Sequence, residues 1–218
     1  MGESANQINM ISDTGSGRTF IAIIDDEVYL PFARAIVEKL SAKARCVLLI
    51  SPSVTALTWE SLSASLSAVL SNLNIRVASV VGMGAAATLA QNLALNEPKV
   101  VRTLAMMDSP SRPHPTWWER VVDRIEEVLP FGLPLRLGAR GFNVKSYIHR
   151  LRCPVLLIAS GKAGQFVRGD LKTSAAKAPT AWSVQLEGSQ DQQIEALSVA
   201  LLEFQDIPAK CPQKNSRQ

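Results

Sequence analysis

The sequence predicts an α/β fold with a mainly parallel sheet and helices on both faces. Its apolar residues gather in short continuous runs without alternation, which is typical of strands buried on both faces of a parallel sheet. Segments with apolar residues at helical spacing follow these runs, as repeated βα units require. The clearest unit is Val77–Asn96, where a β-branched run reaches a glycine turn and continues as a helix.

The first two units follow this pattern closely. Phe20–Ile24 is an apolar run that ends at an acidic stretch, Asp25–Glu27, and it predicts a buried strand. Leu30–Leu40 then carries apolar residues at helical spacing. Cys46–Ile50 is the second predicted strand, and the Ser-Pro-Ser of residues 51–53 stops it. Both strands are therefore bounded by residues that break regular structure.

The next two units contain the glycine turn. Thr58 is predicted to cap an amphipathic helix that extends to Leu73. Arg76–Val81 is the third predicted strand, and Gly84–Leu95 is its helix. Val100–Met107 is the fourth predicted strand, and the sequence Asp-Ser-Pro at residues 108–110 ends it.

The second half of the chain contains one interruption and then resumes the pattern. Ser111–Leu151 is an insertion with a tryptophan pair, an acidic amphipathic helix and a basic run. Two further strands and a closing helix follow, at Pro154–Ala159, Ala181–Leu186 and Asp191–Phe204. We predict one domain over residues 19–206, with the insertion at about 111–151 as a small helical cap. Residues 1–18 and 207–218 are predicted to be flexible because they are polar.

Composition narrows the functional classes. The chain has 218 residues, of which 47% are hydrophobic and 19% charged, as in an ordinary globular domain. A net charge of +4 is too weak to predict nucleic-acid binding. The polar residues within Val77–Asn96 disfavour a membrane span. Three widely spaced cysteines and two isolated histidines predict neither disulfides nor a metal site. We therefore expect a cytoplasmic protein without metal or cofactor.

The order of elements resembles the α/β-hydrolase family from about Phe20 to Phe204. Gly82-Met83-Gly84-Ala85-Ala86, between a strand and a helix, is similar to the family's nucleophile elbow. Cys153–Ile158, where a proline precedes an apolar run, looks like the family's late strand. The insertion lies where the family places its cap. The resemblance implies the same fold and, in most members, a catalytic triad with an oxyanion hole.

The residues at the family's catalytic positions depart from that pattern. The nucleophile position is Gly84, which has no side chain. The late segment 161–165 has no acid, although Asp108 lies where some lipases of this fold carry theirs. The segment 186–192, where the histidine is expected, has none, and the only histidines, His114 and His149, fall in the predicted cap. Carboxylates at residues 25–27 would repel a developing oxyanion.

The resemblance and its departures together predict a non-catalytic pseudo-hydrolase. We expect it to bind a small apolar molecule beneath the cap, or a protein partner. The residues predicted to line the pocket are Asp25, Asp26, Met83, Gly84, Asp108, Ser109, Trp117 and Trp118.

Three alternatives remain open on the sequence. Gly82-x-Gly84-x-x-Ala87 fits a loose dinucleotide fingerprint, with Asp108 as the residue that would bind the ribose of NAD(P). A non-hydrolytic or residual esterase-type enzyme of the same fold is the second. The third is membrane-surface contact through the cap, where Trp117 and Trp118 precede a basic run.

Overall fold

A computed structural model describes residues 7–52, 59–109, 150–161, 175 and 180–207. The predicted cap lies outside the described residues, except for its last two positions. Trp117, Trp118, both histidines and the C-terminal tail also lie outside them.

The seven described strands form one sheet in the order β1-β3-β2-β4-β5-β6-β7. Strands β2 to β7 pair in parallel, and β1 pairs antiparallel with β3. The strands are β1 Asn9–Thr14, β2 Thr19–Ile24, β3 Arg45–Ile50, β4 Ala78–Met83, β5 Val101–Met107, β6 Val155–Ala159 and β7 Ala181–Gln185. The predicted parallel sheet is confirmed, because continuous apolar runs can be buried only where both faces of a sheet are covered.

Four described helices cover the sheet. They are α1 Leu30–Ser41, α2 Trp59–Asn72, α3 Ala86–Asn96 and α4 Gln190–Gln205, and a 3-10 turn, Glu27–Tyr29, precedes α1. On one face, α2 and α3 pack on a cluster that includes Ile23, Leu66 and Leu89. On the other face, α1 and α4 pack on a cluster that includes Ile36 and Leu201. The core is therefore two apolar layers separated by the sheet.

The structure differs from the sequence prediction at residues 9–14. The polar sequence of residues 1–18 predicts a flexible segment, but β1 lies at the edge of the sheet beside β3. Asp13 accepts two hydrogen bonds from the guanidinium of Arg45, which holds the end of β1 in place. None of the side chains of β1 is fully buried. The strand was missed because an exposed edge strand needs no apolar run.

The uncharged stretch Val77–Asn96 is divided between β4 and the 11-residue helix α3. Within the described part of the chain, no helix is both long and apolar enough to cross a bilayer.

Candidate functional site

At the carboxyl edge of the sheet, the strand order has a topological switch point between β2 and β4, which we call the crevice. The chain leaves β2 toward β3 on one side of the sheet and reaches β4 on the other side. In open α/β sheets, ligands bind outside the carboxyl ends of strands at such a switch point. Asp25 directly follows β2, and Gly84 directly follows β4. Two of the predicted site residues therefore meet at this crevice.

Gly84 forms the bend between β4 and α3. Its φ is +63°, a left-handed backbone conformation that favours glycine. Its N–H donates a hydrogen bond to the carbonyl of Met107, at 2.9 Å. A Cβ atom at Gly84 would lie 2.7 Å from Cε2 of Tyr29 and 2.9 Å from Oδ1 of Asp25. The space into which a side chain would project is already occupied.

Gly82, the other glycine of the motif, serves helix packing. A Cβ atom there would lie 2.4 Å from Cα of Ala87 and 2.8 Å from the carbonyl oxygen of Ala86. The absence of a side chain thus lets the first turn of α3 approach β4 closely. This close packing is enough to explain a glycine at residue 82, and no bound nucleotide is needed to explain it.

Asp25 places a carboxyl group beside the start of α3. Its Oδ1 is buried and has no hydrogen-bond partner among the described residues. Burial raises the pKa of the Asp25 carboxyl, and the charge of Asp26 adds to the rise. Backbone N–H groups of Ala86, Asp25 and Ala85 act in the opposite direction. The net effect is a raised pKa, so the carboxyl group of Asp25 holds its proton more tightly in the folded protein than in the unfolded chain.

We expect Asp25→Asn to raise the free energy of unfolding at pH 7 by about 1 kcal/mol. A carboxyl with a raised folded-state pKa contributes stability below its unfolded pKa, and this contribution is lost as the pH rises through the folded value. The difference in free energy of unfolding between the variant and the wild type should therefore shrink as the pH falls toward the ordinary carboxyl pKa of 3.8. Urea unfolding of both proteins between pH 8 and pH 4.5 measures it. A wild-type protein more stable than the variant at pH 7 contradicts this account.

Tyr29 belongs to the same cluster and was not predicted from the sequence. Its ring lies against Gly84. Burial, followed by the carboxylates of Asp108, Asp25 and Asp26, raises the pKa of Tyr29 to about 12. The phenol is therefore protonated at neutral pH and can donate a hydrogen bond. No signal in the sequence marks this residue, because its role depends on how the 3-10 turn folds over the crevice.

Asp26 faces outward and supports the turn that carries Tyr29. Its side chain is exposed and accepts a hydrogen bond from the N–H of Val28 at 2.9 Å, which caps the 3-10 turn. Met83 is fully buried in the core on the α1 side of the sheet. Of the four predicted residues around β2 and β4, Asp25 and Gly84 contribute directly to the crevice.

Asp108 joins the carboxyl ends of β5 and β6. One carboxylate oxygen accepts the N–H of Ser160 at 2.8 Å, and the other accepts its hydroxyl at 2.6 Å. Asp108 has a φ of +49°, which is uncommon outside glycine but tolerated by aspartate. Both carboxylate oxygens are therefore already bonded to Ser160, and the contact to a ribose that the dinucleotide interpretation assigns to Asp108 gains no support. The neighbouring Ser109 Oγ is buried without a partner among the described residues.

The turn between β7 and α4 is built as a helix cap. Ser189 and Gln192 exchange side-chain and backbone hydrogen bonds in a capping box. Gln193 donates to the carbonyl of Gly188 at 2.9 Å and accepts from the N–H of Gly161 at 3.2 Å. This glutamine thus links the segments that follow β6 and β7, where the resemblance predicts the acid and the histidine.

Among the described residues, we find no reactive cysteine and no cluster of metal ligands at the crevice. Cys46 and Cys153 are buried free thiols, and burial raises the pKa of each to about 11. A thiol with this pKa is almost entirely protonated at neutral pH. Within the described ranges, no group of three or more His, Cys, Asp or Glu residues could hold a metal ion.

Comparison with known proteins identifies the fold. No protein-family model matches the sequence, and no curated protein does. An α/β hydrolase from Sphaerobacter thermophilus DSM 20745 superposes with a TM-score of 0.65 at 16% identity, over 88% of this chain and 95% of that one. A hydrolase from Pseudomonas aeruginosa PA01 gives 0.66 at 17% identity, over 90% and 92%. The thioesterase domain from the curacin biosynthetic pathway gives 0.62 at 14% identity, over 90% and 99%.

Proposed function

Starting from the α/β-hydrolase fold of this chain, we propose that it is a non-catalytic protein that binds a small apolar molecule or a protein partner at the carboxyl edge of its sheet. The observation that carries the proposal is Gly84. It lies at the bend where enzymes of this fold hold their nucleophile, and the space for a side chain is filled by Tyr29 and Asp25.

The surroundings of the bend also disfavour acyl transfer. In enzymes of this fold, the N–H of the residue after the nucleophile helps to form the oxyanion hole. Here that residue is Ala85, and its N–H acts on the Asp25 carboxyl. A carboxylate at this position would raise the energy of a developing oxyanion by Coulomb repulsion. The start of α3 thus faces a carboxyl group of the protein itself.

Two polar atoms near the crevice suit a bound ligand. Asp25 Oδ1 and Ser109 Oγ are buried and lack partners among the residues described. Buried polar groups are usually satisfied, so a hydrogen bond from a ligand or partner to each of these atoms would relieve its cost. The apolar body of that ligand is expected to contact Trp117 and Trp118 of the cap, which stays a prediction.

We expect the purified protein to hydrolyse p-nitrophenyl acetate and butyrate no faster than an equal concentration of the same protein after heat denaturation. Neither the chain nor its Gly84→Ser variant should exceed this rate, because the variant still lacks a histidine at residues 186–192. An active serine esterase serves as the positive control.

One result would overturn the proposed function. It is an esterase activity that persists at constant specific activity through two chromatographic steps and falls at least tenfold in Asp108→Asn or His149→Ala. Circular dichroism of each variant must show that it is folded. Such a result would favour the residual esterase-type alternative.

A further inference from the structure

A second candidate site lies away from the crevice, at the carboxyl end of α3. A cleft of about 460 Å³ is lined there by Asn92, Leu95 and Asn96 of α3, by Pro98, and by Arg150 and Arg152, which precede β6. Its volume falls within the range of small-molecule pockets, about 300–1,000 Å³. The proposed function uses none of these residues.

The edge of the sheet at this cleft is strongly basic. Strands β4, β5 and β6 are adjacent and parallel, so their amino ends meet at one edge. The segments that lead into them, residues 74–78, 97–102 and 150–154, hold five basic residues and one acid. These residues are Arg76, Lys99, Arg102, Arg150, Arg152 and Glu97. The resulting excess of four positive charges equals the net charge of the whole chain, +4, and concentrates positive potential at this edge of the sheet.

The polar groups of the cleft are suited to an anion. A guanidinium presents five N–H donors and can bind a carboxylate or phosphate with two parallel hydrogen bonds. Asn92 is held in place because its Oδ1 accepts hydrogen bonds from the Ser63 hydroxyl and from the Asn96 amide. Leu95 and Pro98 add apolar surface beside these groups. The lining therefore combines cationic donors, an ordered amide and an apolar patch.

We propose that this cleft binds a small organic anion. The phosphate or carboxylate group of this ligand lies between Arg150 and Arg152, and the apolar body of the ligand packs on Leu95 and Pro98. The cleft has room for more than an inorganic ion, so the apolar body contributes to the affinity. The site acts independently of Gly84, because it lies at the opposite end of α3.

Isothermal titration calorimetry with 1-naphthyl phosphate, 1-naphthoate and inorganic phosphate tests the proposal. We expect saturable binding of at least one naphthyl anion and weaker binding of inorganic phosphate. Arg150→Gln and Arg152→Gln should each weaken binding about tenfold or more, since each removes charge-assisted hydrogen bonds. Both arginines are exposed, so both variants should remain folded.

Arg34→Gln is the matched control, because it removes the same charge from an exposed position on α1, on the other face of the sheet. It should bind like the wild type. The preferred naphthyl anion identifies the ligand as a phosphate or a carboxylate, and either supports the proposal. Absence of naphthyl-anion binding at millimolar concentration overturns it. Equal losses in all three variants, or no loss in Arg150→Gln and Arg152→Gln, also overturn it.

Discussion

Gly84→Ala is expected to destabilise the protein by about 3 kcal/mol. Part of the loss is backbone strain, because a residue with a Cβ at a φ of +63° costs about 1–3 kcal/mol in a constrained site. The rest is crowding, because the new methyl group meets Tyr29 Cε2 at 2.7 Å and Asp25 Oδ1 at 2.9 Å. Both atoms end flexible side chains that can shift, so the crowding adds about 1 kcal/mol, the lower part of the range for overpacking. Urea unfolding monitored by circular dichroism measures the total.

Gly17→Ala separates strain from crowding. Gly17 also has a positive φ, +98°, but the nearest atom to its Cβ would be the carbonyl oxygen of Lys43, at 4.0 Å. This control therefore changes the backbone preference without a close contact. A second control places Gly84→Ala in a Tyr29→Ala background, where the ring is gone and the alanine should cost less. If Gly84→Ala costs no more than Gly17→Ala, the crevice is not filled as described.

Asp108→Ala is expected to lower the free energy of unfolding by about 2–3 kcal/mol. The substitution leaves the N–H and the hydroxyl of Ser160 without their carboxylate acceptor, and Ser160 is buried. A buried donor left unsatisfied costs about 1–3 kcal/mol. Alanine also tolerates the φ of +49° less well than aspartate does. Urea midpoints of the variant and the wild type give the loss.

Asp108→Asn distinguishes this structural role from a chemical one. Asparagine adopts left-handed backbone conformations readily and keeps one carbonyl oxygen as an acceptor, so it should lose about half as much stability as alanine. Ser160→Ala removes the hydroxyl from the other side of the same contact. Its effect and that of Asp108→Ala should be less than additive, because the two residues share one interaction. Strict additivity would show that the contact does not stabilise the fold.

Much of the fold could be predicted from local patterns. The runs around Ile23, Leu48, Val80 and Leu104 are apolar without alternation, and each became a buried parallel strand. The bend at Gly84 was predicted at the residue where it occurs. These features are determined by neighbours in sequence, through periodicity and through the residues that end each run.

The sequence by itself determined the parallel sheet, the order of its helices and the glycine at the bend after β4. Only the tertiary structure decided that β1 joins the sheet, that Tyr29 and Asp25 fill the space at Gly84, and that Asp108 is held by Ser160. The physical reason is the distance along the chain between partners. Asp108 and Ser160 are 52 residues apart, so only the pairing of β5 with β6 brings them together.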